Sequence, residues 1–196
     1  MALSDIDLVM LAKASQDETA FAELVRRHQA GLRAFLRRLG PDEAHADDLA
    51  QEAFLKAHRR VASFQGGASF RSWLYAIAWR EFLQAKRKDG ARGRATAALV
   101  AEPRDGEAVR DLAADLSLDL KRALALLDES ERAAILLCDA AGLSHGEAAA
   151  ALGAPLGTVK SQIARARAKM RAALEGKISP ATEPTSRQPD GAAHAW

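Results

Sequence analysis

Cys138 is the only cysteine among the 196 residues, so no intramolecular disulfide or cysteine-rich metal site is possible. It lies in the apolar run 133–138 (AAILLC), where a buried, inert thiol is expected. No stretch approaches the roughly 18 uninterrupted apolar residues that a spanning helix needs. The first residues, MALSDID, lack a basic stretch and a long apolar core, so no signal peptide is expected and the cytoplasm is the expected location. His28, His45, His58, His145 and His194 are scattered without ligand spacing, and there is neither an H-x-x-x-H pair nor a glycine-rich phosphate loop. Asp47 and Asp48 are neighbours, and neighbours on a helix point in different directions, so a shared ion is not expected. The chain reads as a non-enzyme with no metal and no cofactor. A convincing alternating strand pattern and an internal repeat are also missing.

Hydrophobic residues make up 48% and charged residues 28%, which is the balance of a globular protein with a core. The net charge is only +2, so affinity for nucleic acid has to come from local patches, and these occur at 86–94 and 160–171.

Apolar residues recur at three-and-four spacing almost throughout. Ser4 and Asp7 are placed to cap a short helix reaching about Ala14. Asp17 can cap a long second helix whose stripe is Phe21, Leu24, Val25, His28, Leu32, Phe35, Leu36 and Leu39, stopped by Gly40 and Pro41. A third helix is expected from about Glu43 to Arg60, with Leu49, Ala53, Phe54, Ala57 and Val61 inward. The segment from Ser63 to Ser69 reads as a loop because of Gly66 and Gly67. A fourth helix is expected from about Phe70 to Arg87, with Phe70, Trp73, Leu74 and Ile77 inward. Residues 89–116 lose the pattern and read as a flexible linker. A second domain follows at 117–175, and the proline-containing tail 176–196 is expected to be disordered. In that domain Leu120, Ala123, Leu124 and Leu127 line one helix. Asp128 or Ser130 caps the next, which ends at Gly142.

The end of the second domain reads as a helix-turn-helix. Ser144 and Glu147 form a capping box, Gly153 can take the left-handed conformation that ends a helix, and Pro155 suits the first turn of the next. Projected at 100° per residue, Val159, Ile163, Ala166, Met170 and Leu174 face inward. Ser161, Ala164, Arg165 and Ala168 fall opposite, small or slender enough to approach base edges. Lys160, Arg167, Lys169 and Arg171 lie on the flanks, where groove walls place phosphates. No acidic residue interrupts 160–171.

The first domain carries a different set of groups. Phe64, Phe70, Trp73, Tyr75, Trp79 and Phe82 are interleaved with Arg71, Arg80, Lys86, Arg87 and Lys88. Aromatic faces for stacking and cations along a backbone are what holding an opened DNA strand requires, and the Gly66–Gly67 loop suits a pocket for an extruded base. By spacing Phe70, Trp73 and Ile77 belong to the core, whereas Trp79 and Arg80 fall off that stripe and are contact candidates. On the third helix Asp48, Gln51, Glu52 and Leu55 make an outward face. At this level that face is either a docking surface or an ordinary solvated face with one incidental leucine.

Three motifs in this order resemble the extracytoplasmic-function (ECF) type of bacterial sigma factor. They are Asp47 to Leu55 (DDLAQEAFL), Ser69 to Ala78 (SFRSWLYAIA), and Gly157 to Ser161 (GTVKS) followed by Arg165 and Arg167 in RAR. The resemblance covers about 4–88 and 117–174. It implies an all-α fold of two small helical domains on a flexible linker. Residues 1–88 would bind core RNA polymerase and the minus-ten element, and 117–175 the minus-thirty-five element. The docking face, Asp48, Gln51, Glu52 and Leu55, matches the segment that grips the coiled-coil helices of the largest polymerase subunit. Minus-ten contacts implied are Phe64, Gly66, Gly67, Ser69, Arg71, Trp79, Arg80, Lys86 and Arg87; Thr158 joins the upstream contacts. Control by an anti-sigma protein is expected. In two places the chain departs from the family. Arg80 stands where Asn, suited to a specific base contact, is common, and Ala149–Ala150 stands where Ile-Ala is usual. The competing reading is a stand-alone helix-turn-helix regulator, which would bind duplex DNA specifically without polymerase.

Overall fold

Ser4 and Asp7 start the first helix by capping each other. The Ser4 hydroxyl and N–H donate to the Asp7 carboxylate at 2.7 and 2.9 Å, and the Asp7 N–H donates to the Ser4 hydroxyl at 3.2 Å. The computed structural model describes residues 3–14, 18–40, 43–96 and 118–175, and the regular structure in them is helical. The helices are α1 Asp5–Ala14, α2 Glu18–Leu39, α3 Glu43–Arg60, α4 Phe70–Thr96, α5 Leu118–Ala125, α6 Glu129–Ile135, α7 His145–Leu152 and α8 Leu156–Leu174. A 3₁₀ turn, Val61–Ser63, follows α3, and a π-helical stretch, Leu136–Ala140, continues α6.

In the first domain α2 lies between α1 and α3, and α4 closes against α3. Phe21, Leu24, Leu32, Phe35, Leu36 and Leu39 of α2 are buried, as are Leu49, Ala53, Phe54 and Ala57 of α3 and Val61 after it. The expected stripes therefore form the core, with Val25 and His28 of α2 only partly buried. α4 runs through to Thr96, into the segment read as linker from residue 89. Extending an existing helix needs no new nucleus, and Ala91, Arg92, Arg94 and Ala95 are good helix formers around Gly90 and Gly93. The rest of the expected linker and the tail lie outside the described residues.

In the second domain Asp128, not Ser130, caps α6. Its carboxylate accepts from the Glu131 N–H at 2.8 Å, and the Glu131 carboxylate accepts from the Asp128 N–H at 3.3 Å. Gly142 (φ 68°) and Gly153 (φ 64°) end their helices in the left-handed region, where a side chain would be strained. Ser144 and Glu147 make the expected capping box, and Pro155 stands just before the first residue of α8. α5, α6 and α7 pack around α8, which buries Val159, Ile163 and Ala166. Leu174, expected inward, is 52% exposed because α8 ends there, beyond the helices that cover its earlier turns.

The two domains also touch. α4 packs against α7, α2 packs against α6 and the π-helical stretch, and the buried apolar core continues from one domain into the other. Arg132 fastens this junction by donating to the carbonyls of Leu124 (2.9 Å), Leu127 (3.0 Å) and, across the domains, Leu39 (3.0 Å) at the end of α2. A cation suits that position, because the last carbonyls of α2 have no partner within their own helix.

Candidate nucleic-acid and polymerase interfaces

α8 carries the candidate upstream-element residues on one open surface. Thr158, Lys160, Ser161, Ala164, Arg165, Arg167 and Arg171 are exposed, and Lys169 is half-buried. The basic run has acidic partners that its own sequence does not contain. Arg167 makes two hydrogen bonds to Asp139, at 2.7 and 3.2 Å. Arg165 donates through Nε to Oε1 of Glu131 at 3.1 Å, and Lys169 donates to Oε2 of the same carboxylate at 2.6 Å. Among the described residues no side-chain partner is found for Lys160 or Arg171, so both keep their charge for a ligand. The Ser161 hydroxyl donates to the Thr158 carbonyl at 2.8 Å.

Glu131 escaped the sequence reading. It is 1% exposed, yet burial, which by itself would raise its pKa, is outweighed by Lys169, Arg165 and the Asp128 backbone, which hold it below the ordinary glutamate value. Two cations of α8 therefore share one buried anion. The Cys138 thiol is partly buried, and burial and then Asp139 push its pKa up, which keeps it protonated and unreactive.

The minus-ten candidates divide. Arg71, Arg80, Lys86 and Arg87 are exposed along α4, and Gly66 and Gly67 form an open loop tip, with Gly66 at φ 75°. Phe64 and Trp79, expected to offer ring faces, are only 6% exposed each, and that expectation is corrected. Phe64 packs edge-on to Phe70 and Trp73, with centroids 6.2 and 5.3 Å apart, and Trp79 stacks on Phe82 at 5.7 Å. Phe64, which precedes α4, is covered by Phe70 and Trp73. Trp79 is covered because α4 packs against α2, α3 and α7, so leaving the first stripe does not by itself bring a residue into solvent. Tyr75 is buried too, and burial raises its pKa. Three of the candidates reach the second domain. The Ser69 hydroxyl donates to Glu147 at 2.6 Å, Arg71 lies 3.5 Å from the Gly142 carbonyl, and Lys86 pairs with Glu129.

The outward face of α3 is present as a surface. Asp48, Gln51 and Leu55 are exposed, Leu55 by 43%, and Glu52 is partly exposed. Glu52 lies 3.6 Å from Lys56, which also binds Glu81 of α4, so the face is braced from below. A groove lined by His45, Asp48, Glu52, Gln84 and Lys88 runs beside it between α3 and α4. Among the described residues no cluster of His, Cys, Asp or Glu is arranged to hold a metal ion, and no helix is long and apolar enough to cross a membrane.

A two-domain helical chain that presents a basic helix-turn-helix and a separate acidic helix face has the outline of a DNA-binding transcription protein with a protein partner. Comparison with known proteins gives the class. The family descriptions "Sigma-70 region 2" and "Sigma-70, region 4" match residues 24–92 and 117–170. The RNA polymerase sigma factor NccH of Alcaligenes xylosoxydans xylosoxydans is 34% identical over 87% of this chain and 95% of its own length. The ECF sigma-E factor of Escherichia coli K12 is 33% identical over 84% and 89%. The ECF sigma factor SigE of Mycolicibacterium smegmatis is 37% identical over 76% of this chain, which spans 59% of that longer protein. Among solved structures, RpoE bound to the anti-sigma factor NepR from Bartonella quintana superposes with a TM-score of 0.68 at 32% identity, covering 79% of this chain and 96% of that one. CnrH in complex with the cytosolic domain of CnrY superposes with a TM-score of 0.64 at 28% identity, covering 89% and 98%. The chain belongs to the ECF RNA polymerase sigma factors.

Proposed function

We infer that the protein binds core RNA polymerase and directs it to a promoter, acting in the cytoplasm under control of an anti-sigma protein. The observation that carries this is the coexistence of two unlike surfaces on one chain, the acidic-apolar face of α3 and the basic face of α8. A stand-alone regulator needs only the second. In this reading Asp48, Gln51, Glu52 and Leu55 dock on polymerase. Arg165, with Ser161 and Ala164 beside it, meets base edges of the upstream element, while Thr158, Lys160 and Arg171 approach phosphates. Arg167 and Lys169 lie on the flanks with their charges shared with Asp139 and Glu131. Around the minus-ten element Gly66, Gly67 and Ser69 leave room for a base, and Arg71, Arg80, Lys86 and Arg87 follow the backbone. Arg80, longer than the usual Asn and charged, is assigned to phosphate.

The anti-sigma partner is inferred from kinship with RpoE, which was solved bound to the anti-sigma factor NepR. Gel-shift on promoter fragments with and without core enzyme tests the whole reading. Specific retention is expected only when both are present. Equal specificity without core enzyme would favour a stand-alone regulator.

A further inference from the structure

An acidic residue at the third position of a capping box is ordinarily a surface group, and the capping duty needs only one of its oxygens. Glu131 departs from this. It is 1% exposed, and its other oxygen, Oε1, is aimed at α8, where it accepts from Arg165 Nε at 3.1 Å. Oε2 takes Lys169 at 2.6 Å. A buried carboxylate is costly unless it is paired, and here both partners come from the candidate recognition helix.

The geometry of the Arg165 pair matters more than its charge. The bond engages Nε and leaves Nη1 and Nη2, the two nitrogens that make a bidentate contact, uncommitted to any acid. Nη1 lies only 3.5 Å from the Ser161 hydroxyl, whose own proton goes to the Thr158 carbonyl. The guanidinium is thus held by its inner edge, and half of the side chain remains exposed (54%). Arginine on a helix surface otherwise explores many rotamers, and holding one of them removes that entropy cost before DNA arrives. A guanidinium presenting two parallel N–H groups matches guanine O6 and N7 in the major groove.

We propose that Glu131 is a positioning residue for promoter readout, a buried anchor on α6 that holds Arg165 in the orientation that reads a guanine edge and ties Lys169 away from phosphate. This rests on the reading of α8 as the upstream-element helix. Its consequence is that Glu131 sharpens sequence preference while lowering affinity for DNA in general, because it places a negative charge behind the DNA-facing surface and occupies one cation.

The test compares wild type, Arg165→Ala, Glu131→Leu and Glu131→Gln as full-length proteins. Holoenzyme is used to select duplexes from a library randomised over the upstream element. The free full-length proteins are titrated with a scrambled duplex across salt concentrations. Arg165→Ala is expected to erase preference for G at one base pair, and Glu131→Leu to weaken preference at that same pair by about tenfold, the size of one mis-set base contact. Glu131→Leu should also bind the scrambled duplex more tightly, with a salt slope steeper by about one to two units as the two cations are released. Glu131→Gln keeps one acceptor, so it should fall between wild type and Leu in both readings; if the Leu variant does not fold, Gln carries the test. A merely structural role would lower specific and non-specific binding together, and that result overturns the proposal. Retained preference in both Glu131 variants, with preference lost in Arg165→Ala, overturns it as well and leaves the reading of α8 intact. Preference retained in Arg165→Ala would remove that reading, and the positioning role with it.

Discussion

The Ser69 hydroxyl donates a 2.6 Å hydrogen bond to Oε1 of Glu147, so the loop that precedes α4 is joined to the first helix of the helix-turn-helix. Glu147 also closes the α7 capping box with Ser144, and these contacts, Ser69 first, hold its carboxyl below the ordinary glutamate range. Ser69 is a candidate minus-ten contact, and in this arrangement it is already occupied. In the proposed reading, where Ser69 meets the minus-ten element, its hydroxyl has to leave Glu147 first. Ser69→Ala should loosen the closed arrangement by about 1.5–3 kcal/mol, the worth of a hydrogen bond to a charged group. Small-angle scattering of the free protein should show a larger radius of gyration for this variant. An unchanged scattering profile would show that the apolar contacts between α4 and α7 suffice without it.

Acid should weaken the second domain through Glu131. Its pKa is lowered in the folded protein, so the stabilisation it gives is fully present above the ordinary glutamate value and is lost as pH falls through the lowered one. Urea unfolding from neutral to acidic pH should show a shallower acid-side loss for Glu131→Leu than for wild type. A steeper loss in the variant would contradict the sign.

Leu137 is fully buried where the π-helical stretch packs into the core. Leu137→Ala should cost about 2–5 kcal/mol, the range for a leucine removed from a core that collapses incompletely. Thermal melting followed by circular dichroism measures it, and a loss below that range would mean that the surrounding helices close the gap.

Lys160→Ala and Arg171→Ala should weaken binding to every duplex about equally and reduce the salt slope by about one unit each, since a phosphate contact carries no sequence information. Arg167→Ala should have a smaller effect, because Asp139 already neutralises that side chain. The check is a salt titration against matched and scrambled duplexes. A change of sequence preference in Lys160→Ala would move that residue from the groove wall to the base edges.

Helix limits and caps were legible because their signals are local. Ser4–Asp7, Ser144–Glu147 and Gly153 each act within a few residues, and the core stripes of α2 and α3 each face one side. What was not legible depended on the other domain or on a distant helix. Trp79 is buried because α4 is covered from several directions, which no single-stripe projection can represent. The basic run of α8 contains no acid, so nothing in it announced Asp139 or Glu131. Glu131 gave one local signal, its place three residues after Asp128, and that signal explained the cap but not the two cations. The continuation of α4 to Thr96 is of another kind, since two glycines argued locally for a linker while an established helix argued for propagation.

The central claim, that this protein works as a sigma factor through the outer face of α3, is tested most directly by run-off transcription with purified core enzyme on genomic fragments. Wild type is compared with the double variant Glu52→Lys/Leu55→Ala. Burial of Leu55 against a partner is worth about 1.5–3 kcal/mol, and reversing Glu52 adds repulsion if the partner surface is basic. Both positions lie off the Leu49, Phe54 and Val61 stripe, so helical content and melting should change little. Wild type should produce discrete starts that core enzyme alone does not. The double variant should produce none, while its free second domain surface still binds duplex DNA weakly. A folded double variant that initiates at the same starts with normal yield would contradict the assignment of this face, and wild type that adds no start to core enzyme would contradict the function.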